Sequence, residues 1–311
     1  MHSHASHGGG RPGRGANSDA AARRLKNRKL LLAAILVTGI VLAIEVVGGV
    51  IANSLALLSD AGHVLTDLLA LVFSYTAIVI SSRPANSRKS FGYYRVEILA
   101  ALLNGATLLV ISGAILRESY LRFRSPEPIL AGPMILTAAV GLAGNLAAMM
   151  VLSPGRSNLN VRAAFLHVLG DTLSSVGVLA AGFAVMATGW IWLDSVAGGL
   201  IAVVIVVGAI RLLKESTDIL LEACPVGIDG SEVEARILTF PEIVSVHDLH
   251  IWSITSGMPA LSGHVVLRGG IEISGDDLLG RLQSLLRDEF RIDHSTFQIE
   301  SETFEEIGEI H

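Results

Sequence analysis

SLALLSDAGHVLTDLLALVFSYTAIVIS, residues 54–81, is the stretch whose reading decides the fold. It is long and apolar enough to cross a bilayer, since a hydrocarbon core of about 30 Å takes roughly 20 helical residues. Yet it carries Asp60, His63 and Asp67. An ionised Asp at the bilayer centre costs about 2.5–3.5 kcal/mol on insertion scales, so polar residues kept there point to a function. Working outward, five more apolar runs occur near residues 30–51, 97–117, 129–152, 161–187 and 190–210, with polar breaks between them. After residue 211 the pattern changes. Residues 231–239 read as a helix capped by Ser231, with Glu234 three positions on. Residues 243–255 and 260–268 alternate as strands around the turn Gly257-Met258-Pro259. Residues 275–290 have helical leucine spacing, and 295–300 read as a last strand. The expected fold class is an α-helical membrane protein with six transmembrane helices and a C-terminal αββαβ domain.

Composition agrees. Of 311 residues, 51% are hydrophobic and 16% charged, against about 25% charged in soluble domains. Residues 1–211 hold 17 Lys and Arg against 9 Asp and Glu, whereas residues 212–311 hold 6 against 19. Two regions with different surroundings follow. The acidic one disfavours nucleic acid as a partner. Cys224 is the sole cysteine, which excludes an intrachain disulfide and a zinc finger of paired cysteines. The polar, basic N-terminus and the full-length apolar run after it read as a retained helix rather than a secretory signal. The boundaries are a flexible tail over 1–29, a transmembrane domain over 30–211 and a soluble domain over 212–311. Lys and Arg near span ends gather on the side of both termini, which places these in the cytoplasm. Arg117, Arg122 and Arg124 dissent from that pattern.

The fifth run contains HVLGD, residues 167–171, so His63/Asp67 and His167/Asp171 repeat one His-x-x-x-Asp spacing. Four residues make about one helical turn, so each pair shares a helix face. Two such faces offer two imidazoles and two carboxylates, a donor set suited to tetrahedral zinc. A bland alternative is that each Asp merely pairs with its own His in helix packing. Glu45, in the first run, reads as a proton-exchanging or packing residue. Asp60 fits either the permeation path or the cap of the second span. Asn104 and Asn145 read as helix bridges, and Gly48, Gly49, Gly198 and Gly199 as sites of close helix approach. Zinc needs neutral imidazole and ionised carboxylate, so its binding displaces protons. The expected activity is therefore transport of zinc in exchange for protons, with the site opening alternately to each side.

SLALLSDAGHVLTD, RPANSRKSFGYYRVEILAALLNG (residues 83–105) and HDLHIW (247–252) together resemble the cation diffusion facilitators, in particular the bacterial zinc-exporting branch. The resemblance runs from residue 28 to 302. It implies a homodimer in the inner membrane, a cytoplasmic metallochaperone-like domain, divalent-metal/proton antiport and efflux. It also carries the transport-site role onto His63, Asp67, His167 and Asp171, and a cytoplasmic metal site onto His247, His264 and Glu300, with Asp293 where relatives often have His. His250 and His294 are spare candidates, and His2, His4 and His7 form a loose N-terminal cluster. The loop PANSRKSFGYY has no His, and Arg88 and Lys89 would repel a metal there. Cadmium, cobalt, iron or manganese are alternative cargoes, and a non-transporting membrane sensor is an alternative role. An enzyme is disfavoured: no His-Glu-x-x-His occurs, and four protein ligands leave no open position on a metal.

Overall fold

A computed structural model describes residues 14–81, 83–155, 159–270 and 274–304. Two compact units are formed, Met1–Leu68 with Leu108–Val207, and Leu69–Thr107 with Gly208–His311. Six helices are long and apolar enough to cross a membrane. They are α1 (Arg14–Ala52), α2 (Leu55–Ser81), α3 (Val96–Arg124), α4 (Ala131–Leu152), α5 (Leu159–Thr188) and α6 (Trp192–Leu220). The apolar window of α1 starts at Leu32, but the helix itself starts at Arg14. Residues 14–29, expected as flexible tail, are therefore helical. Their run of Ala, Arg, Leu and Lys consists of strong helix formers. Similarly, α6 continues to Leu220, past the expected boundary at 211.

In the first unit α1 packs on α4, and α4 on α5. Small residues let these backbones approach, as is usual without a hydrophobic driving force between helices in lipid. A Cβ on Gly48 would collide with Thr137 of α4, and one on Gly141 with the Glu45 carboxylate. On Gly198 it would lie 3.0 Å from Ser59 Oγ, and on Gly199 2.5 Å from Ser119 Oγ. Large apolar side chains such as Leu36, Val110, Leu136 and Val204 point outward, as befits helices solvated by lipid.

The start of α2 is fixed by a residue the sequence reading did not single out. Asp194, fully buried in the first turn of α6, accepts hydrogen bonds from Ser54 Oγ (2.5 Å), Leu55 N (2.6 Å) and Ala56 N (3.3 Å). A helix start leaves N–H groups without intrahelical partners. Here a carboxylate from another helix takes them, while Ser54 Oγ accepts from Leu57 N at 3.2 Å. Asp60 is therefore not the cap of the second span. Nearby, Arg122 donates to the Asn53 carbonyl (2.9 Å) and pairs with Glu118 (2.9 Å) and Glu127 (3.5 Å). Arg124 donates to Tyr120 Oη at 3.1 Å. Two of the three dissenting arginines thus have local partners.

In the second unit, α7 (Gly230–Ile237), β1 (Ile243–Thr255), β2 (Met258–Leu267), α8 (Gly275–Phe290) and β3 (His294–Ser301) follow in the expected αββαβ order. The sheet order is β1-β2-β3, antiparallel then parallel. The cap of α7 is Asp229 rather than Ser231: its carboxylate accepts from Ser231 N and Ser231 Oγ at 2.9 and 2.7 Å. The Asp229 carboxylate, just ahead of the helix and two residues before Ser231, reaches the free Ser231 N–H, which the hydroxyl of Ser231, already inside the helix, cannot. Leu278, Leu282 and Leu286, one turn apart on α8, are fully buried with Val233, Ile237, Leu261 and Val265. Burying each such leucine is worth about 1.5–3 kcal/mol, which holds α8 on one face of the sheet.

Candidate functional site

α2 and α5 bring all four sequence-nominated residues together. His63 Nε2 lies 3.7 Å from Asp67 Oδ2 and 3.8 Å from Asp171 Oδ1. His167 Nε2 lies 3.2 Å from Asp67 Oδ2 and 3.8 Å from Asp171 Oδ2. Each histidine thus faces the carboxylate of the other helix as well as its own. Local pairing alone would give only the contacts within each helix. The donor atoms of His63, Asp67 and Asp171 fall within 4.8 Å of one another, with His167 beside this trio. Ligands of a tetrahedral ion with bonds of about 2.0–2.1 Å sit roughly 3.3 Å apart, so the observed separations need little contraction.

The cluster is also short of hydrogen bonds. Asp67 Oδ2, Asp171 Oδ1 and His63 Nδ1 are buried and make none of good geometry among the described residues. An unsatisfied buried polar group costs about 1–3 kcal/mol, more if charged. A cation or protons would relieve that cost. Beside the cluster is a cavity of about 540 Å³, lined by His63, Gly170, Ser174 and apolar residues of α5 and α6.

Asp60 is in the interior of α2, buried, and accepts hydrogen bonds from Ser174 Oγ (2.5 Å) and Ser175 Oγ (3.3 Å) of α5. Asn145 of α4 donates to Ser175 Oγ at 3.1 Å, the helix-bridging role its position suggests. Glu45 is buried against Gly141, with Oε2 lacking a hydrogen bond among the described residues. Neither carboxylate belongs to the trio of donor atoms.

In the soluble domain His247, His264 and Glu300 form a second group within 4.8 Å. Antiparallel register sets His247 opposite His264, with ring centroids 5.0 Å apart. Glu300 reaches both: Oε2 is 3.0 Å from His247 Nε2, and Oε1 is 3.0 Å from His264 Nδ1. Gln298 Nε2 donates to Glu300 Oε1 at 2.8 Å. Burial pushes the Glu300 carboxyl up, but these hydrogen bonds and the two imidazoles outweigh it and hold it below the ordinary range.

Asp248 is a further member that alternation could not reveal. It sits in a bulge, with φ 49°, between the pairs His247–His264 and His250–Ser262. Three steps on β1 match two on β2, so the bulge turns His247 and His250 to the same face. Asp248 then lies 2.8 Å from His250 Nε2 and 3.7 Å from His264 Nε2. Asp293 is not brought to this group and pairs instead with Arg287 at 2.9 Å. It precedes β3, and seven extended residues carry it roughly 20 Å from Glu300. His294 packs edge-to-face on Phe91, with ring centroids 6.0 Å apart. His2, His4 and His7 lie outside the described residues.

Comparison with known proteins places this geometry. Residues 31–221 match the cation efflux transmembrane domain, and residues 225–302 the cytoplasmic domain of cation efflux proteins. The metal cation efflux system protein CzcD of Cupriavidus metallidurans is 45% identical over 275 residues, covering 88% of this chain and 87% of that protein. Zinc transporter ZitB of Escherichia coli is 41% identical over 277 residues, covering 88% of each. The cadmium, cobalt and zinc/H(+)-K(+) antiporter of Bacillus subtilis is 40% identical over 281 residues, covering 89% of this chain and 90% of that protein. A solved structure of the metal-bound C-terminal domain of the CzcD transporter is 42% identical, covering 24% of this chain and 99% of that one, with a TM-score of 0.22. With both of its regions matched in order, the chain belongs to the cation diffusion facilitator family, as a multi-pass membrane protein for metal cation efflux.

Proposed function

We propose that this protein exports zinc from the cytoplasm in exchange for protons, through a site made by His63, Asp67, His167 and Asp171. The observation that carries the reading is the crossed pairing of two histidines and two carboxylates on α2 and α5, with buried carboxylate oxygens left without good hydrogen bonds. Two imidazoles and two carboxylates suit zinc in tetrahedral geometry better than magnesium, which favours six oxygens. Zinc occupies the site only when the imidazoles are neutral and the carboxylates ionised. Zinc and protons therefore compete for the same four side chains. Opening the site to one side and then the other converts that competition into exchange. Both termini face the cytoplasm on the distribution of Lys and Arg, and the working unit is a homodimer, in keeping with the cytoplasmic-domain match. His247, His264 and Glu300 form a second metal site that senses cytoplasmic zinc. Cadmium and cobalt are further cargoes, in keeping with the name of the Bacillus subtilis relative.

Purified protein in vesicles with an imposed pH gradient tests this. Zinc flux should follow the gradient and vanish in Asp67→Ala and Asp171→Ala. Flux indifferent to the gradient removes proton coupling, and flux that survives in both variants removes the site.

A further inference from the structure

The loop between α2 and α3 carries a cleft that zinc export leaves unexplained. Its volume is about 910 Å³, and its walls include Arg88, Lys89, Phe91, Tyr94, Arg95 and Trp252. All belong to the second compact unit. Arg95 is already paired with Glu222 at 2.8 Å. Arg88 and Lys89 have no carboxylate partner among the described residues, and the Lys89 ammonium rests over the Tyr93 ring, 5.1 Å from its centroid. The loop is nonetheless well formed. Asn86 Oδ1 accepts from the backbone N–H groups of Arg88 and Lys89 at 3.0 and 3.1 Å, and Asn86 Nδ2 donates to Tyr93 Oη at 3.2 Å. Two adjacent cations without a carboxylate partner among the described residues are thus held on a fixed turn.

A basic cleft is the opposite of what gathering zinc needs. Among the described residues Glu222 is the one acidic residue of its walls, although residues 212–311 as a whole are strongly acidic. The chemistry points to an anion: guanidinium takes phosphate through two parallel hydrogen bonds, and ammonium takes it as a point charge. The location points to the membrane surface. The loop joins the end of one apolar span at Ser81 to the start of the next at Val96. Phe91 and Tyr94 are exposed there, and aromatic residues with adjacent Lys and Arg suit the headgroup level of a bilayer.

We propose that this cleft binds a phosphate group through Arg88 and Lys89, presented by an acidic phospholipid headgroup or by a soluble phosphate compound. The inference depends on the six-span arrangement and not on the cargo, so it can fail while zinc export stands, and the reverse. The test is native mass spectrometry of the full-length protein in neutral detergent. It compares phosphatidylglycerol with phosphatidylcholine of the same acyl chains, and adds pyrophosphate as a competitor. Phosphatidylglycerol should bind at least about tenfold more tightly than phosphatidylcholine, and Arg88→Gln/Lys89→Gln should lose that preference. Arg88→Lys should keep most of it. Arg88→Gln alone supplies the same readout should the double variant aggregate, because the Arg88 side chain has no carboxylate partner among the described residues. Pyrophosphate binding that needs Arg88 and Lys89, without lipid preference, identifies the soluble source. A lipid preference unchanged in the variants, or no binding of either probe through these two residues, overturns the proposal.

Discussion

The membrane cluster and the soluble-domain cluster use the same side-chain types but satisfy their carboxylates differently. Around Asp67 and Asp171 the nearest donors are imidazoles at 3.2–3.8 Å, and two carboxylate oxygens have no good hydrogen bond among the described residues. Around Glu300 both oxygens are hydrogen-bonded, Oε2 to His247 at 3.0 Å and Oε1 to Gln298 at 2.8 Å, with His264 Nδ1 a further 3.0 Å neighbour of Oε1. The first arrangement is costly when empty, because hydrocarbon offers no substitute partner. The second costs less when empty, because both of its carboxylate oxygens are hydrogen-bonded. A site that must load and unload gains from the first kind: both zinc and protons relieve it, and neither is held by a large surplus. A site that only reports zinc can begin from a satisfied state, which a metal displaces above some threshold.

The largest effect that could break this contrast is on flux. Asp171→Ala or Asp67→Ala should lower zinc flux in vesicles by about 100-fold or more, since losing a group that merely supports a metal ligand already costs about 10–100-fold in affinity or activity. Glu300→Gln should leave flux within a few-fold. Equal losses in the two would erase the distinction between a carrying site and a reporting site.

Asp194→Asn comes next. Its carboxylate fixes the first turn of α2 through three hydrogen bonds, and hydrogen bonds to a charged group are worth about 1.5–3 kcal/mol each. The amide keeps one acceptor oxygen, and its NH2 then faces a backbone N–H of α2 that also donates. Thermal unfolding in detergent should show a clear loss of stability, while flux per folded molecule falls less than in Asp171→Ala. A flux loss as deep as that of Asp171→Ala, at unchanged stability, would make Asp194 part of the transport path instead of an anchor.

The two clusters also differ in how far the sequence discloses them. Helical spacing is rigid, so His-x-x-x-Asp on two spans already sets four side chains on two faces; the crossed pairing depends on how the two helices pack. Asp194 stayed hidden because its partners are backbone N–H groups some 140 positions away, which leave no pattern of their own in the sequence. In the soluble domain, alternation placed the strands and the pairing of His247 with His264 could be anticipated. Asp293 stands apart from the cluster in this chain because the strand after it extends away. Asp248 was missed because strict alternation sends His247 and His250 to opposite faces, and a bulge cancels that rule. Helix extents show the same limit: residues 14–29 are already helical, because helix formers continue the apolar run of α1 towards the N-terminus.

A middle-sized effect concerns the metal held by the soluble domain. Glu300→Gln in the full-length protein should weaken zinc binding at that site by about tenfold or more, the range for groups that orient and charge a metal site. Because the Glu300 carboxyl is held below its ordinary range, its contribution to stability is complete above about pH 4.3. That contribution is lost as pH falls through the lowered value. Unfolding of wild type and Glu300→Gln should therefore differ most near neutral pH and converge in acid. Divergence in acid would mean that Glu300 is not ionised in the fold.

The smallest effect is the most discriminating, because it separates the bulge from the carboxylate it carries. Asp248 has φ 49°, a left-handed conformation that costs most residues roughly 1–2 kcal/mol and glycine almost nothing. Asp248→Gly keeps the bulge and removes the carboxylate near His250 and His264. Asp248→Ala removes the same carboxylate and adds backbone strain. If the bulge aligns His247 with His264 and Asp248 only steadies the rings, Asp248→Gly should weaken zinc binding in the soluble domain a few-fold at nearly unchanged stability. Asp248→Ala should add a loss of stability of about 1 kcal/mol. Identical behaviour of the two variants in unfolding would show that the bulge relaxes without Asp248. The shared face of His247 and His250 would then depend on the carboxylate and not on the backbone.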